Sequence, residues 1–493
     1  MTLMHRVLHP SPIASLDEYV AHLAGGTGIE KARATDPWKL IELIEQSGLR
    51  GRGGAGFPTG RKWRTVRENL SSSLPATVVV NGAEGEPGTF KDRTILRRNP
   101  YHVLEGALIA AHAVSATQVV VALKRSFATE VARVRSAVEE ITAAGWTDGI
   151  ALIVFEGPDE YLYGEETALL ETLDGRLPFP RISPPFRRGV TEVVESAADV
   201  SSGSGLSAHV EMAGADTESA APPALVDNVE TLANVPRIVE RGADWFRTEG
   251  TEKSPGTIVC TVTGSVETPG VGEVMLGTTL RAAIDEISGG PIAGHEILAV
   301  LPGVSSAIIP ASDLDTPLTY EDMSAIGSGL GSAGYYVLDT SVDPVAAIAG
   351  VSHFLAIESC GQCTPCKQDG LVLSDQLGRL ARSDATERDV ALIKKKAGTV
   401  ADGARCSIGT QQQVVVNSLL ALFASHVHDH VTGAAAPAEP ILVAELLEID
   451  GDAALVDQRH ATKQPDWTYE ATWRGETPVE RFTDHRADNV LDG

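Results

Sequence analysis

The stretches "ATVVVNG" (76–82), "QVVVAL" (118–123) and "GIALIVF" (149–155) are short, apolar and rich in β-branched residues. Helical patterns such as "HVLEGALIAAHAV" (102–114) lie between them. Strands that alternate with helices are typical of an α/β layer built on a mainly parallel sheet. The sequence therefore predicts that its N-terminal part is an α/β domain.

The pattern changes twice further along the chain. "GTIVCTVTGSVETPGVGEVMLG" from residue 256 contains strand patterns, and "TTLRAAIDEI" (278–287) is typical of a helix. Later stretches are helical around a group of cysteines, and the end of the chain predicts a strand followed by a loose tail. The predicted regions are an α/β domain at 1–240 with a loop insertion at 193–223, an α+β module at 250–340, a helical bundle at 343–430, and a linker with a C-terminal extension at 431–493.

Composition excludes some functions. The chain has 493 residues with Lys+Arg 40 against Asp+Glu 66, a formal net charge of −26. Such a charge repels nucleic acid and anionic lipid. No apolar run reaches the roughly 18 residues of a membrane span, and prolines interrupt the N-terminus before a signal sequence can form. We expect a cytoplasmic protein that reaches a membrane only through partner subunits.

Five cysteines are present, and four of them suggest a metal site. "ESCGQCTPCKQDG" (358–370) contains Cys360, Cys363 and Cys366 at every third position, and Cys406 follows in "ARCSIG". Three close thiolates plus a remote one favour a [4Fe–4S] cluster, although zinc remains an alternative. Cys260 lies in the apolar run "TIVCTVTG" and is expected in the core. "HVHDH" (426–430) is expected to be solvated rather than to bind metal.

A glycine-rich stretch is the second chemical signal. "GLRGRGGAGFPTGRKW" (48–63) has six glycines between residues 48 and 60. It contains a dinucleotide fingerprint, but a helical pattern precedes it where that fingerprint needs a strand. The glycines still allow close approach to a flat ring or a phosphate, and interleaved cations can neutralise phosphate charge. These cations are Arg50, Arg52, Arg61 and Lys62.

Two further stretches offer polar groups near strand ends. "NGAEGEPGTFKDR" (81–93) follows the first predicted strand, where ligands bind in open α/β sheets, and supplies Asn81, Glu84 and Glu86. "YLYGEETALLETLDGRLPFPR" (161–181) places carboxylates at a predicted helix start. There they can act as helix caps or accept hydrogen bonds from ribose hydroxyls or a nicotinamide amide.

Together with "VDNVETLANV" (226–235), these motifs resemble the flavoprotein subunit of NADH:quinone oxidoreductase, the F-subunit family of respiratory complex I. Diaphorase subunits of NAD-linked hydrogenases and formate dehydrogenases share the pattern. The resemblance runs from roughly residue 35 to 425. It implies an FMN- and NADH-binding Rossmann-like domain, a ubiquitin-like SLBB domain, and a helical bundle that carries one [4Fe–4S] cluster.

The resemblance also implies roles for individual residues. The implied FMN contacts are Gly51, Gly53, Gly54, Lys62, Asn81, Gly164, Glu165, Asn228 and Thr231. The implied nicotinamide and ribose neighbours are Glu86, Glu165, Glu166 and Tyr161, and the adenine is expected to stack on Phe57 and Phe186. The implied cluster ligands are Cys360, Cys363, Cys366 and Cys406. This chain departs from the family pattern at three positions. Where it has Ala83 the family commonly has Asp, where it has Asp227 the family commonly has Asn, and where it has Thr65 the family often has a third aromatic residue that stacks on the adenine.

The implied activity is NADH oxidation: hydride transfer to FMN, then single electrons to the cluster. NAD is preferred over NADP, because no cation is assigned to a 2′-phosphate. Since only Cys260 is left after the four ligands, no second cysteine-ligated cluster fits, and partners must carry the electrons onward. The implied partners are a thioredoxin-like [2Fe–2S] subunit and a larger iron–sulfur subunit. The alternatives are an NAD-reducing diaphorase of a formate dehydrogenase or hydrogenase, and a non-catalytic scaffold of the same fold.

Overall fold

A computed structural model describes residues 3–70, 74–182 and 222–483. The predicted loop insertion lies outside the described residues except at its last two positions. Among the described residues, no helix is both long and apolar enough to cross a membrane. The structure shows a mixed α/β chain with a helical C-terminal region, as the sequence predicts.

The first part of the chain is built on a parallel sheet of four strands in the order β3-β2-β1-β4. The strands are β1 (Ala76–Asn81), β2 (Ala116–Lys124), β3 (Ala151–Gly157) and β4 (Ala224–Asn228). Strand order reverses between β1 and β4, which is the position where open α/β sheets bind ligands. The helices of this part are α1 (Leu16–Leu23), α2 (Thr27–Arg33), α3 (Pro37–Ser47), α4 (Thr59–Glu68), α5 (Lys91–Arg98), α6 (Pro100–Ala113), α7 (Ala128–Ala143), α8 (Glu166–Leu173), α9 (Val229–Arg241) and α10 (Ala243–Phe246).

Helices α6 and α9 pack closely at a glycine. A Cβ added to Gly106 would lie 2.0 Å from the carbonyl oxygen of Leu232 in α9. Alanine is the better helix former by up to about 1 kcal/mol, so helix propensity alone would favour Ala at this position. The observed contact therefore requires glycine for packing and not for flexibility.

We expect Gly106→Ala to destabilise the protein by about 1–3 kcal/mol, because the added methyl group forces α6 and α9 apart. Thermal denaturation measures the effect. Gly378→Ala is the matched control: this glycine also lies within a helix, but its Cβ would meet only the flexible end of Arg382, at 3.3 Å. The control should be neutral or slightly stabilising, and an equal loss in both variants would contradict the packing argument.

A mixed five-stranded sheet follows, in the order β6-β5-β9-β7-β8. Cys260 lies in its second strand in sheet order and is fully buried in the core, as predicted. The strands are β5 (Thr257–Gly264), β6 (Gly270–Met275), β7 (Ile297–Pro302), β8 (Ile309–Pro310) and β9 (Gly334–Asp339), with helices α11 (Leu280–Ser288) and α12 (Tyr320–Ala325).

The helical region that follows packs around its own apolar core, and the C-terminal extension covers it. The helices are α13 (Pro344–Glu358), α14 (Thr364–Ala381), α15 (Glu387–Ala397), α16 (Ile408–Leu422) and α17 (Ala424–Thr432). The extension contains strands β10 (Leu446–Asp450) and β11 (Ala453–Val456), a 3-10 turn (Gln458–Thr462) and α18 (Pro478–Thr483). The exact domain boundaries stay predictions.

Two details of this region differ from the sequence prediction. The extension is not a strand with a loose tail but an antiparallel hairpin followed by segments packed on the bundle, where Trp467 is 5% exposed. His430 of "HVHDH" is not solvated. It is 1% exposed, and its Nε2 lies 2.7 Å from Asp343 Oδ2, so α17 is tied to the start of α13.

Candidate functional site: a glycine loop at the strand ends and a four-thiol pocket

The glycine-rich loop between α3 and α4 lies beside the start of α9. The backbone N–H of Arg52 donates to Thr231 Oγ1 at 2.8 Å. A Cβ added to Gly53 would lie 3.3 Å from Asn228 Cβ, and Gly54 has φ +118°, which favours glycine. The loop thus presents bare peptide groups next to the β4–α9 junction. This surface fits a flat ring or a phosphate.

Two amides lie side by side where β1 and β4 end. Asn81 and Asn228 are register partners in the parallel pair. Asn81 Nδ2 donates to the carbonyl oxygen of Gly164 at 2.9 Å, which ties the strand end to the segment before α8. Asn228 caps α9 by accepting from the N–H of Glu230. The predicted flavin residues of three separate motifs are therefore brought together.

The carboxylates of this region have structural partners as well. Glu165 caps α8 by accepting from the N–H groups of Thr167 and Ala168, and burial raises the pKa of Glu165. Glu86 accepts from the N–H of Val304 at 3.1 Å and from the hydroxyl of Ser332. The residues of the five-stranded unit thus orient Glu86 at the edge of the glycine loop.

Lys62 of the glycine-rich stretch lies beside two carboxylates at this site. Its Nζ lies 2.9 Å from Glu166 Oε1 and 4.0 Å from Asp227 Oδ1. Burial acts to lower the pKa of Lys62, but Glu166 and Asp227 outweigh it and raise the pKa. Phe57, predicted to stack on adenine, is 47% exposed with Arg61 over its ring, whereas Phe186 lies outside the described residues.

Arg50 and Arg52 are not free to neutralise phosphate as the sequence suggested. The guanidinium of Arg50 lies 3.9 Å from the ring centroid of Tyr320, and that of Arg52 donates to the Tyr320 hydroxyl at 3.0 Å. Arg52 is only 3% exposed. Both side chains therefore join the glycine loop to α12, because the aromatic ring offers them a cation–π contact and a hydrogen bond.

Tyr161 lies between the flavin-side loops and the helical bundle. Its ring packs edge-on against Phe354 of α13 at 5.3 Å between centroids, and its backbone N–H donates to Glu358 Oε2 at 3.3 Å. Burial and the carboxylate of Glu86 raise the pKa of Tyr161 well above its usual range, so its hydroxyl keeps its proton. The segment that ends at Gly164 thus contacts α13 directly before the cysteine loop.

The four predicted ligands Cys360, Cys363, Cys366 and Cys406 line one pocket. Burial raises the pKa of Cys360 to about 11 and also raises the pKa of Cys366 and Cys406. Bound iron therefore has to stabilise the thiolates. In the part of the chain that the structure describes, no three His, Cys, Asp or Glu side chains meet closely enough for one metal ion. Four thiols that line one pocket match the ligand number of a [4Fe–4S] cluster.

Sequence reasoning gave Glu84 a ligand-facing role and missed Lys367. Glu84 does not face a ligand: it is buried and accepts from the N–H groups of Asp92 and Arg93, which begin α5. Lys367, next to Cys366, donates to the carbonyl oxygens of Ala356, Ile357 and Ser359 and so caps α13 beside the pocket. The signal for Lys367 was a lone lysine inside the cysteine motif.

The C-terminal extension reaches the cysteine loop. The N–H of Val479 donates to the carbonyl oxygen of Cys360 at 3.0 Å, and Thr477 lies against Gly361, where a Cβ would come within 2.5 Å of the threonine. Glu358, Lys463 and His460 form a buried ion network between α13 and the extension. No pattern in the sequence pointed to this cover.

A glycine cradle at the switch point of a parallel sheet, joined to a four-thiol pocket, defines an iron–sulfur flavoprotein. The family model described as "Nuo51 FMN-binding domain" matches residues 44–237, and the model described as "NADH-ubiquinone oxidoreductase-F iron-sulfur binding region" matches residues 346–430. The chain belongs to the F-subunit family of NADH-quinone oxidoreductase.

Individual relatives agree with this assignment. The chain is 36% identical over 435 residues to the F subunit of NADH-quinone oxidoreductase from Streptomyces coelicolor, covering 86% of this chain and 90% of the relative. It is 34% identical over 405 residues to the F 2 subunit of NADH-quinone oxidoreductase from Rhizobium meliloti, covering 80% and 89%. Among solved structures, an NAD⁺-reducing [NiFe]-hydrogenase in the H₂-reduced state matches with a TM-score of 0.70 at 28% identity, covering 87% of this chain and 68% of that one.

The recognised family, the cofactors FMN and [4Fe–4S], and the oxidoreductase class are thereby confirmed. The iron–sulfur family model sets the zinc alternative aside, and the four cysteines stay the predicted ligands. The structural similarity to an NAD⁺-reducing hydrogenase agrees with the alternative of an NAD-reducing diaphorase, in which electrons flow in the opposite direction.

Proposed function

We propose that this chain oxidises NADH on FMN and delivers the electrons through its [4Fe–4S] cluster to partner subunits. Bound FMN supplies the chemistry that couples a two-electron hydride donor to one-electron acceptors. The observation that carries the proposal is the contact of Tyr161 with α13. It joins the segment at the flavin-side strand ends to the helix that leads into the cysteine loop.

The residues divide into three groups by what they do for the nucleotides. The glycine loop and the strand-end amides orient the flavin, and Lys62 neutralises its phosphate. Glu86, held by Val304 and Ser332, lies at the entrance together with Glu166. The flavin-binding set is Gly51, Gly53, Gly54, Lys62, Asn81, Gly164, Glu165, Asn228 and Thr231; the nicotinamide and ribose set is Glu86, Glu165, Glu166 and Tyr161; the adenine set is Phe57 and Phe186.

Partners are required because the chain has no further cysteines for a second cluster. Cys260 is fully buried in the five-stranded unit, so it cannot serve as a ligand at the surface. We propose a thioredoxin-like [2Fe–2S] subunit and a larger iron–sulfur subunit as acceptors. In this assembly the chain is a cytoplasmic protein held at the inner face of the membrane by other subunits.

Anaerobic purification tests the proposal. We expect about one FMN and about four irons per chain, a flavin spectrum bleached by NADH, and reduction of ferricyanide. Iron without flavin would instead support the non-catalytic scaffold. Reduction of NAD⁺ by a low-potential viologen, faster than NADH oxidation, would support the NAD-reducing diaphorase that the hydrogenase likeness favours.

A further inference from the structure

Asp227 is a buried acid beside Lys62 and next to Asn228, two residues that we propose to bind the flavin. It is the second-last residue of β4 and is 5% exposed. Its Oδ2 accepts from the indole Nε1 of Trp63 at 2.8 Å, and its Oδ1 lies 4.0 Å from Lys62 Nζ. The buried carboxyl is thus held by one neutral donor and faces one cation, both from α4.

Lys62 is shared between carboxylates. Its Nζ also lies 2.9 Å from Glu166 Oε1 and donates to the carbonyl oxygen of Val226. Arg50 and Arg52 cannot replace it, because Tyr320 holds their guanidinium groups. A phosphate that binds Lys62 must therefore approach the ammonium group that Asp227 and Glu166 already neutralise.

We propose that Asp227 competes with the phosphate of FMN for Lys62 and thereby sets how tightly this chain holds its flavin. The inference rests on the proposed role of Lys62 at the phosphate. A carboxylate beside a bound phosphate dianion repels it, whereas a protonated Asp227 or an asparagine removes this repulsion and leaves Glu166 as the other acid at Lys62. The indole of Trp63 can donate to either form of the side chain.

Three groups act on the protonation of Asp227. Burial raises its pKa to about 6; Lys62 and the Trp63 hydrogen bond from α4 lower it, and Glu166 from α8 raises it. Below that pH the carboxyl is neutral, and Asp227 no longer competes with the phosphate for Lys62. Above it the carboxylate competes, so the contribution of Asp227 weakens FMN binding as pH rises. Protonation of the phosphate itself, with a second pKa of about 6, acts in the opposite direction.

The test compares the FMN affinities of the full-length chain and its Asp227→Asn variant. Each protein is first stripped of flavin and is then titrated with FMN at pH 5.5 and at pH 8, with flavin fluorescence as the readout. The ratio of the two dissociation constants cancels the titration of the phosphate. We expect the variant to bind FMN about tenfold more tightly at pH 8 and within about twofold at pH 5.5. Riboflavin, which lacks the phosphate, should bind both chains within about twofold at either pH.

Other outcomes distinguish a failure of this inference from a failure of the proposed function. A ratio that is equal at both pH values, or one that riboflavin reproduces, would show that Asp227 acts on the ring or on packing and overturns the inference. Asp339→Asn, a 2% exposed acid in β9, is the control and should leave FMN binding unchanged. If the parent chain binds FMN, and NADH bleaches this flavin, but the ratio of dissociation constants is the same at both pH values, only the inference is overturned. A parent chain that binds neither flavin overturns the proposed function with it.

Discussion

The Cys406→Ser chain is expected to lose nearly all of its iron while it keeps its flavin. Cys406 lies in the loop before α16 and is the one predicted ligand outside residues 360–366, a segment that ends in the first turn of α14. Serine retains the size of the side chain but is a far poorer ligand for iron than a thiolate. Iron and acid-labile sulfide analysis after anaerobic purification measures the loss, and we expect about four irons to fall below about one.

Flavin chemistry should survive this substitution. The residues proposed to hold FMN lie on the glycine loop and in α4, at the ends of β1 and β4, at the start of α9, and just before α8. Cys406 belongs to none of these elements. Bleaching of the flavin by NADH should therefore stay within about twofold of the parent chain, whereas transfer to an iron–sulfur partner should fall below detection.

Cys260→Ser is the control that distinguishes the loss of a cluster ligand from the loss of any cysteine. Cys260 is fully buried between apolar neighbours, so its replacement costs some stability but removes no ligand. This variant should keep its iron. Retention of about four irons by the Cys406→Ser chain would contradict the ligand assignment and place the fourth ligand elsewhere.

Local patterns in the sequence were sufficient to predict three of the four strands of the parallel sheet, but not β4. "ATVVVNG" and "QVVVAL" form neighbouring parallel strands because apolar, β-branched runs of this length bury both faces. Asn81 and Asn228, which the resemblance implies as FMN contacts, lie together because parallel strands end at one edge of the sheet. The structure places Asn81 and Asn228 in register.

Contacts between distant parts of the chain could not be predicted. Arg50 and Arg52 look available for phosphate in the sequence, but Tyr320, more than 260 residues away, takes both. The sequence predicts that His430 is solvated, yet it is buried and pairs with Asp343 at the start of α13. In each case a partner far away in the sequence decides the role of the side chain, and hydrophobic periodicity carries no information about such partners.

The C-terminal extension gives the second large expected effect, through the ion network that holds it to α13. Glu358 and Lys463 are 2.6 Å apart and nearly inaccessible, with side-chain exposures of 3% and 7%. His460 Nε2 lies 3.1 Å from the same Glu358 oxygen. Glu358→Gln would leave the Lys463 ammonium buried without its carboxylate. Removal of one partner of a buried ion pair costs about 3–5 kcal/mol.

Hydrogen–deuterium exchange of residues 458–483 measures that cost where it arises. We expect backbone exchange there to become at least about 100-fold faster in Glu358→Gln, because local opening becomes easier by that energy. Glu470→Gln is the matched control in the same extension. Its partner Arg474 is exposed, and exposed pairs contribute at most about 1 kcal/mol, so exchange should hardly change.

The double variant Glu358→Gln with Lys463→Met distinguishes a charge effect from lost packing. With both charges removed, no unpaired ion remains, and exchange should return most of the way to the parent rate. An additive loss would contradict the ion-pair argument. Since the extension also binds the carbonyl of Cys360 through Val479, its opening exposes the cluster loop. Glu358→Gln should therefore release iron to a chelator faster than the double variant does, which would make the extension the cover of the cluster.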